Sequence, residues 1–258
     1  MLLKLFSIIS MKTDALYLNL FKIAPILALR MAGVNVPRAN EYTCSSEELK
    51  KTFRIDALFT PPSPELPLLI AEVQFQKNAE IYDRIVASFA IKRLESSGVA
   101  EIRFTGMRMA IFFATRSIDT GATVYEPLVR SGLLRIVYLD EATLGMDTSD
   151  LSVEELVSLL LVRLTVSPKD EVQDRAMVEM LARNVATMRD VGEQEEFQEL
   201  FVDLFHSKYK YLTKEEIRAM LIDTATYLDI FHDIGESRAV QQYAEELCSK
   251  GSFGNKFG

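Results

Sequence analysis

Phe53-Arg54-Ile55-Asp56-Ala57-Leu58-Phe59 and Leu69-Ile70-Ala71-Glu72-Val73-Gln74-Phe75-Gln76, separated by the turn-forming Pro61-Pro62-Ser63-Pro64, decide the fold of this chain. Side chains alternate between faces along a strand. In the first segment positions 53, 55, 57 and 59 are apolar, and Arg54 and Asp56 point the other way. In the second, 69, 71, 73 and 75 are apolar, while Glu72, Gln74 and Gln76 share the opposite face. The prolines between them belong to a loop. With Pro61–Pro67 as that loop, an antiparallel register pairing 60 with 68 sets Asp56 opposite Glu72 and Arg54 opposite Gln74. A slip of two residues leaves the acids diagonal neighbours.

On the N-terminal side, Thr13 is the N-cap of an amphipathic helix. Leu16, Leu20, Ile23, Leu27 and Met31 recur along it at helical spacing, and Gly33 closes it. Connecting chain leads to a short strand at Tyr42–Cys44 and a longer one over Lys50–Phe59. Beyond the second segment, Ala79–Ser96 mixes Ile81, Ile85, Val86 and Phe89 with Asp83, Arg84, Lys92 and Arg93 in a helix of four to five turns. Met109–Ala114 and Leu133–Leu139 are apolar runs that read as buried strands. From Ser152 the pattern is helical: 152–165, 170–188, 194–208, 213–222 and 228–250, with Thr213 as an N-cap followed by acids that suit the helix dipole.

The expected organisation is therefore an α/β core over residues 11–148, a helical region over 149–250 and a frayed tail over 251–258. Residues 1–10 read as a spurious extension ahead of a start at Met11. This apolar run is half the length of about 20 residues that a bilayer requires. No small-residue cleavage site follows it, so neither an anchor nor a signal peptide is expected.

The 258 residues are 48% hydrophobic and 26% charged, which fits a globular chain with a real core. Cys44 and Cys248 are too far apart for metal-ligand spacing, and their scarcity points to a reducing, cytoplasmic setting. His206 and His232 are the two histidines, so the first 200 residues hold no histidine triad and no His-rich zinc site. The net charge of −8 argues against nucleic acid, but its distribution removes the objection. Residues 1–140 carry 17 Lys/Arg against 14 Asp/Glu, whereas residues 141–258 carry 12 against 23. The acidity belongs to the C-terminal part, and the N-terminal part is free to face a polyanion.

Two carboxylates held side by side repel each other unless a cation or a proton lies between them. Mg²⁺ is held by such a pair, with water and a substrate phosphate completing its shell. An ion so placed activates water and stabilises charge on a phosphoryl oxygen. A solvated strand face on which Arg54 neutralises Asp56 is the competing reading.

Asp56 followed by Glu72-Val73-Gln74, with a proline-rich turn between and a helix after, resembles the core of the PD-(D/E)XK nuclease superfamily. More narrowly, Lys12-Thr13-Asp14-Ala15-Leu16-Tyr17, Phe53–Phe59, Ala71–Gln76 and the distal Tyr211–Leu221 are similar to a bacterial branch of the recombination-promoting nuclease and transposase-like family, a branch without an assigned function. The resemblance implies a restriction-endonuclease-like fold: a central mixed sheet flanked by helices, followed here by the all-helical C-terminal region. It also implies Mg²⁺-dependent endonuclease cleavage of DNA, with Mn²⁺ as a substitute ion. Carried over, Asp56 and Glu72 are the metal ligands, with the backbone carbonyl of Val73 as a candidate third. Gln74 falls where the superfamily has lysine, so it can orient a water but supplies no positive charge. Lys77 or Arg54 is a candidate substitute cation. Asp14 is the candidate for the acidic residue that many members place on the first helix, and it reads equally as a first-turn carboxylate serving the helix dipole.

Two rivals stay open: a non-catalytic DNA-binding relic, and a protein-interaction module working through the acidic helices. Those helices also offer a homodimer surface, since two sites related by a two-fold axis commonly cut both strands. Tyr82 and Arg84 read as helix-surface positions before phosphate contacts, Phe112, Phe113 and the methionines as core, Cys44 as a small buried residue, and His206 and His232 as surface or cap positions.

Overall fold

Pro61–Pro67 does close an antiparallel pair. In the computed structural model, which describes residues 16–49, 53–97, 106–121, 123–188, 190–219 and 221, strands β2 (Phe53–Thr60) and β3 (Leu68–Gln74) pair with Ala57 opposite Ala71, Leu58 opposite Ile70 and Phe59 opposite Leu69. They form part of one mixed five-stranded sheet with β1 (Thr43–Leu49), β4 (Met107–Phe113) and β5 (Leu134–Tyr138), in the order β1-β2-β3-β4-β5. The pairs β1–β2 and β2–β3 are antiparallel, and β3–β4 and β4–β5 are parallel. Parallel neighbours need crossovers. The helix α3 (Ile81–Ser97) connects β3 to β4, and two 3₁₀ turns with the short α4 (Glu126–Arg130) lie between β4 and β5.

Helices cover both faces. On one, Ile81, Tyr82 and Ile85 of α3 pack on Leu68, Ile70, Met109, Ile111 and Phe113. On the other, Tyr17 and Phe21 of α1, described over 16–23, meet an aromatic patch. Phe21 lies 5.9 Å from Phe59 and 5.2 Å from Phe112, ring centre to ring centre, and Tyr17 lies 4.8 Å from Phe75. Aromatic rings at these separations add to area burial. The long first helix read from the sequence is broken at Ala24: Pro25 has no amide hydrogen to donate and opens α2 (Pro25–Met31). Gly33, at φ +72°, ends that helix in the left-handed region where glycine is unstrained.

One irregularity matters for the site. β1 and β2 lose step between Ser45 and Glu47, where Ser45 faces Leu58 but Glu47 faces Ile55. β2 thus carries one residue more than its neighbour, a β-bulge at Asp56-Ala57. The bulge corrects the expected alternation. Ile55 joins Leu58 in the core beneath α3 instead of sharing a face with Ala57 and Phe59.

The chain divides into two compact units, residues 1–139 and 140–258. In the second, α5 (Leu139–Leu144) precedes α6 (Val153–Val166), α7 (Glu171–Ala186) and α8 (Val191–Lys208). α6 is buried at every position from Val157 to Leu164, so it is the central helix of this unit. Ser152 and Glu155 cap it reciprocally, and Thr213 and Glu216 do the same for the helix over 214–219. His206, half-buried in the last turn of α8, makes a 2.8 Å contact with the carbonyl of Leu212, beyond the end of that helix. Among the described residues no helix is long and apolar enough to cross a membrane.

Candidate functional site

Continuing the β2–β3 register by one residue brings Asp56 opposite Glu72. Glu72 is even-numbered on β3, like Leu68 and Ile70, and so lies on the α3 side of the sheet. There it is wholly buried. A carboxylate in such a place ordinarily collects hydrogen bonds. Neither Glu72 Oε1 nor Oε2 makes a well-formed hydrogen bond, although the Asp56 backbone N–H and carboxyl stand near enough to act on it.

Burial foremost, and then the Asp56 carboxyl beside it, push the Glu72 carboxyl well above the usual carboxylate range. Arg84 of α3 opposes this from 3.3 Å, Nη2 to Oε2, too poorly aligned to hydrogen-bond. The pair therefore lacks something that a proton or a cation would supply. Asp56 is half-buried at the bulge, a kind of distortion often used to aim a side chain.

The rest of the site is built from the C-terminal half of β3 and the residues just beyond it. Val73 is buried and lies opposite Phe112 in the parallel ladder. Gln74 is nearly buried, and its backbone carbonyl accepts from Ala114 N at 2.9 Å. Lys77 is exposed, three residues beyond Gln74. The Arg54 side chain and the whole of Asp14 lie outside the described residues. Among the described residues no three His, Cys, Asp or Glu side chains converge. An ion held here would thus take Asp56, Glu72 and backbone oxygen from the protein, and its remaining ligands from water or substrate, which suits Mg²⁺. The unsatisfied Glu72 oxygens fit that role.

Arg84 was not readable as a partner of Glu72 from sequence spacing. A six-residue connection folds α3 back along β3, and Arg84, one turn after Ile81, falls at the border of the buried helix face. Tyr82 corrects the expectation of a surface position. It is buried, and its hydroxyl donates to Asp119 at 2.7 Å, with Tyr138 donating to the other Asp119 oxygen at 2.6 Å. Cys44 is half-buried rather than buried, and desolvation pushes its thiol up to about 12, away from the thiolate form that reacts.

Residues 13–221 match the family described as "Protein of unknown function (DUF2887)". The chain belongs to this family. The DUF2887 match takes in Asp14, both facing carboxylates, Gln74 and the Tyr211–Leu221 segment, and it spans both compact units. Neither a curated protein nor a solved structure matches the chain significantly.

Proposed function

We propose that this protein is a Mg²⁺-dependent DNA endonuclease of the recombination-promoting, transposase-like kind. The observation that carries this reading is the Glu72 carboxyl, wholly buried beside Asp56 and without a well-formed hydrogen bond to either oxygen. An acid pair so costly to bury is explained by a cation that it binds. Asp56 and Glu72 hold Mg²⁺ or Mn²⁺, together with the Val73 carbonyl, and the ion supplies an activated water and charge stabilisation at the scissile phosphate. Gln74 positions that water by hydrogen bonding. Asp14 completes the acidic set from the first helix. DNA binds the N-terminal unit, which lacks the acidity of the helical region, and two copies acting as a homodimer cut both strands.

A DNA-binding relic is the second reading, and two observations favour it. Gln74 contributes no charge, and Arg84 already stands within 3.3 Å of Glu72. Purified protein with Mn²⁺ or Mg²⁺ separates the two. The enzyme nicks or cuts single-stranded, duplex or branched DNA, EDTA abolishes this, and both Glu72→Ala and Asp56→Ala eliminate it. DNA binding without cleavage on all three DNA forms under each metal favours the relic. Cleavage that survives Glu72→Ala refutes this site.

A further inference from the structure

We propose that Arg84 is a displaceable counter-ion. It stands against Glu72 Oε2 in the metal-free protein and, once a divalent ion takes its place, becomes a ligand for DNA phosphate. The inference rests on the metal-site reading and adds to it the coupling between ion and DNA.

The asymmetry of the pair motivates it. The Glu72 side chain is 0% exposed and fixed on a central strand, whereas the Arg84 side chain is 36% exposed and enters from α3. Nη2 stands 3.3 Å from Oε2, an ion-pair distance, yet no hydrogen bond locks the guanidinium to either oxygen. A structural arginine–carboxylate pair of this burial would normally be forked and bonded at both ends. A divalent ion on Oε2 and a guanidinium at the same oxygen repel each other, so binding one expels the other.

Among the described side chains, the neighbouring cations do not compete for the role. Lys92, further along α3, is bonded to Glu47 at 2.7 Å, and Lys77 lies exposed beyond the end of β3. Gln74, two residues beyond Glu72 on the same strand, brings no charge. Among the described side chains, the arginine released at the rim of the site is therefore the cation positioned to fork onto a phosphate, for which its planar donor set is suited.

The test uses full-length protein in three forms: wild type, Arg84→Met and Arg84→Lys, with Glu72→Ala as the site control. Mn²⁺ affinity is read from the electron paramagnetic resonance of free ion, and affinity for a short duplex from fluorescence anisotropy with and without Ca²⁺. Removing the competing charge should tighten Mn²⁺ binding in Arg84→Met by about 10-fold. Ca²⁺ should raise the DNA affinity of the wild type and leave that of Arg84→Met unchanged. Arg84→Lys, which keeps the charge but not the fork, should bind Mn²⁺ like the wild type and retain part of the gain. Equal Mn²⁺ affinities in wild type and Arg84→Met, or a Ca²⁺-dependent gain that persists in Arg84→Met, overturn the proposal while leaving the metal site standing. A wild type that binds no Mn²⁺ overturns both.

Discussion

Asp56 and Glu72 stand side by side where the β2–β3 register runs on past Ala57 and Ala71, and neither oxygen of Glu72 makes a well-formed hydrogen bond. In a folded protein such an arrangement is a standing electrostatic cost. Its relief by a proton, by a cation or by substitution is measurable.

Stability should depend on pH through Glu72. Its folded-state pKa is raised, by burial first and by Asp56 second, so the native state holds a proton that the unfolded chain has released. The associated stability is fully present below the ordinary carboxylate range and is lost as pH rises through the raised folded value. One proton sets a slope of at most about 1.4 kcal/mol per pH unit. Urea denaturation of metal-free protein at several pH values should show stability falling over that interval. Glu72→Gln should flatten the curve and exceed the wild type at the alkaline end. A wild-type curve that rises across the same interval would contradict the assignment.

Divalent ions should stabilise the wild type. At a concentration of about 100 times its dissociation constant, a ligand of the native state alone adds about 2.7 kcal/mol. Mn²⁺ should raise the melting temperature of the wild type and have no effect on Glu72→Ala, which should itself fold normally because it relieves repulsion. Calorimetric scans with Mn²⁺ and with EDTA provide the comparison.

Gln74→Lys should be tolerated despite the burial of position 74, because the new ammonium gains Glu72 as a neighbour. It should also raise the rate of DNA cleavage, since a charge stabilises a developing oxyanion better than an amide does. Rate measurements at saturating Mg²⁺ check this. A tenfold fall with the fold intact would mean that the amide itself is needed to hold the water.

The helical unit has its own buried ion pair. Lys208 Nζ lies 2.7 Å from Asp174, donates to the Leu164 carbonyl at 2.7 Å and to Ser167 Oγ at 2.9 Å, and Tyr209 bonds the same aspartate. These contacts tie the C-terminal ends of α6 and α8 to the start of α7. Lys208→Met leaves Asp174 charged and buried, and should cost about 3–5 kcal/mol. Removing both charges, in Lys208→Met with Asp174→Leu, should cost less than the sum of the single changes. A double-mutant cycle in urea measures the difference, and strict additivity would show that the pair is uncoupled.

The β2–β3 register was legible in the sequence because both its determinants are local. Alternating apolar positions mark the strands, and a loop too rich in proline to extend them fixes where they turn. Facing carboxylates follow from that register alone. The bulge was not legible, since it depends on how β1 meets β2, and nothing in Phe53–Phe59 marks an extra residue. The break before Pro25 was masked by Ile23 and Leu27, whose spacing keeps the helical phase on both sides of it. The helices over Glu126–Arg130 and Leu139–Leu144 are too short for any periodicity to show. Tyr82 misled for a different reason: its hydroxyl is satisfied by Asp119, 37 residues away, and such a partner leaves no local trace.

The extra residue of β2 also makes the acid pair fragile in a way that no side-chain substitution would reveal. Deleting Ala57 would let β2 run in step with β1, with Ile55 and Leu58 keeping their common face at ordinary two-residue spacing. Asp56, left alone opposite Ser46 between them, would take the other face and turn from Glu72. The site could thus be disarmed by the loss of one codon with both carboxylates still encoded. A family member of that kind would read as intact in any inventory of its acids, and only its strand phase would give it away.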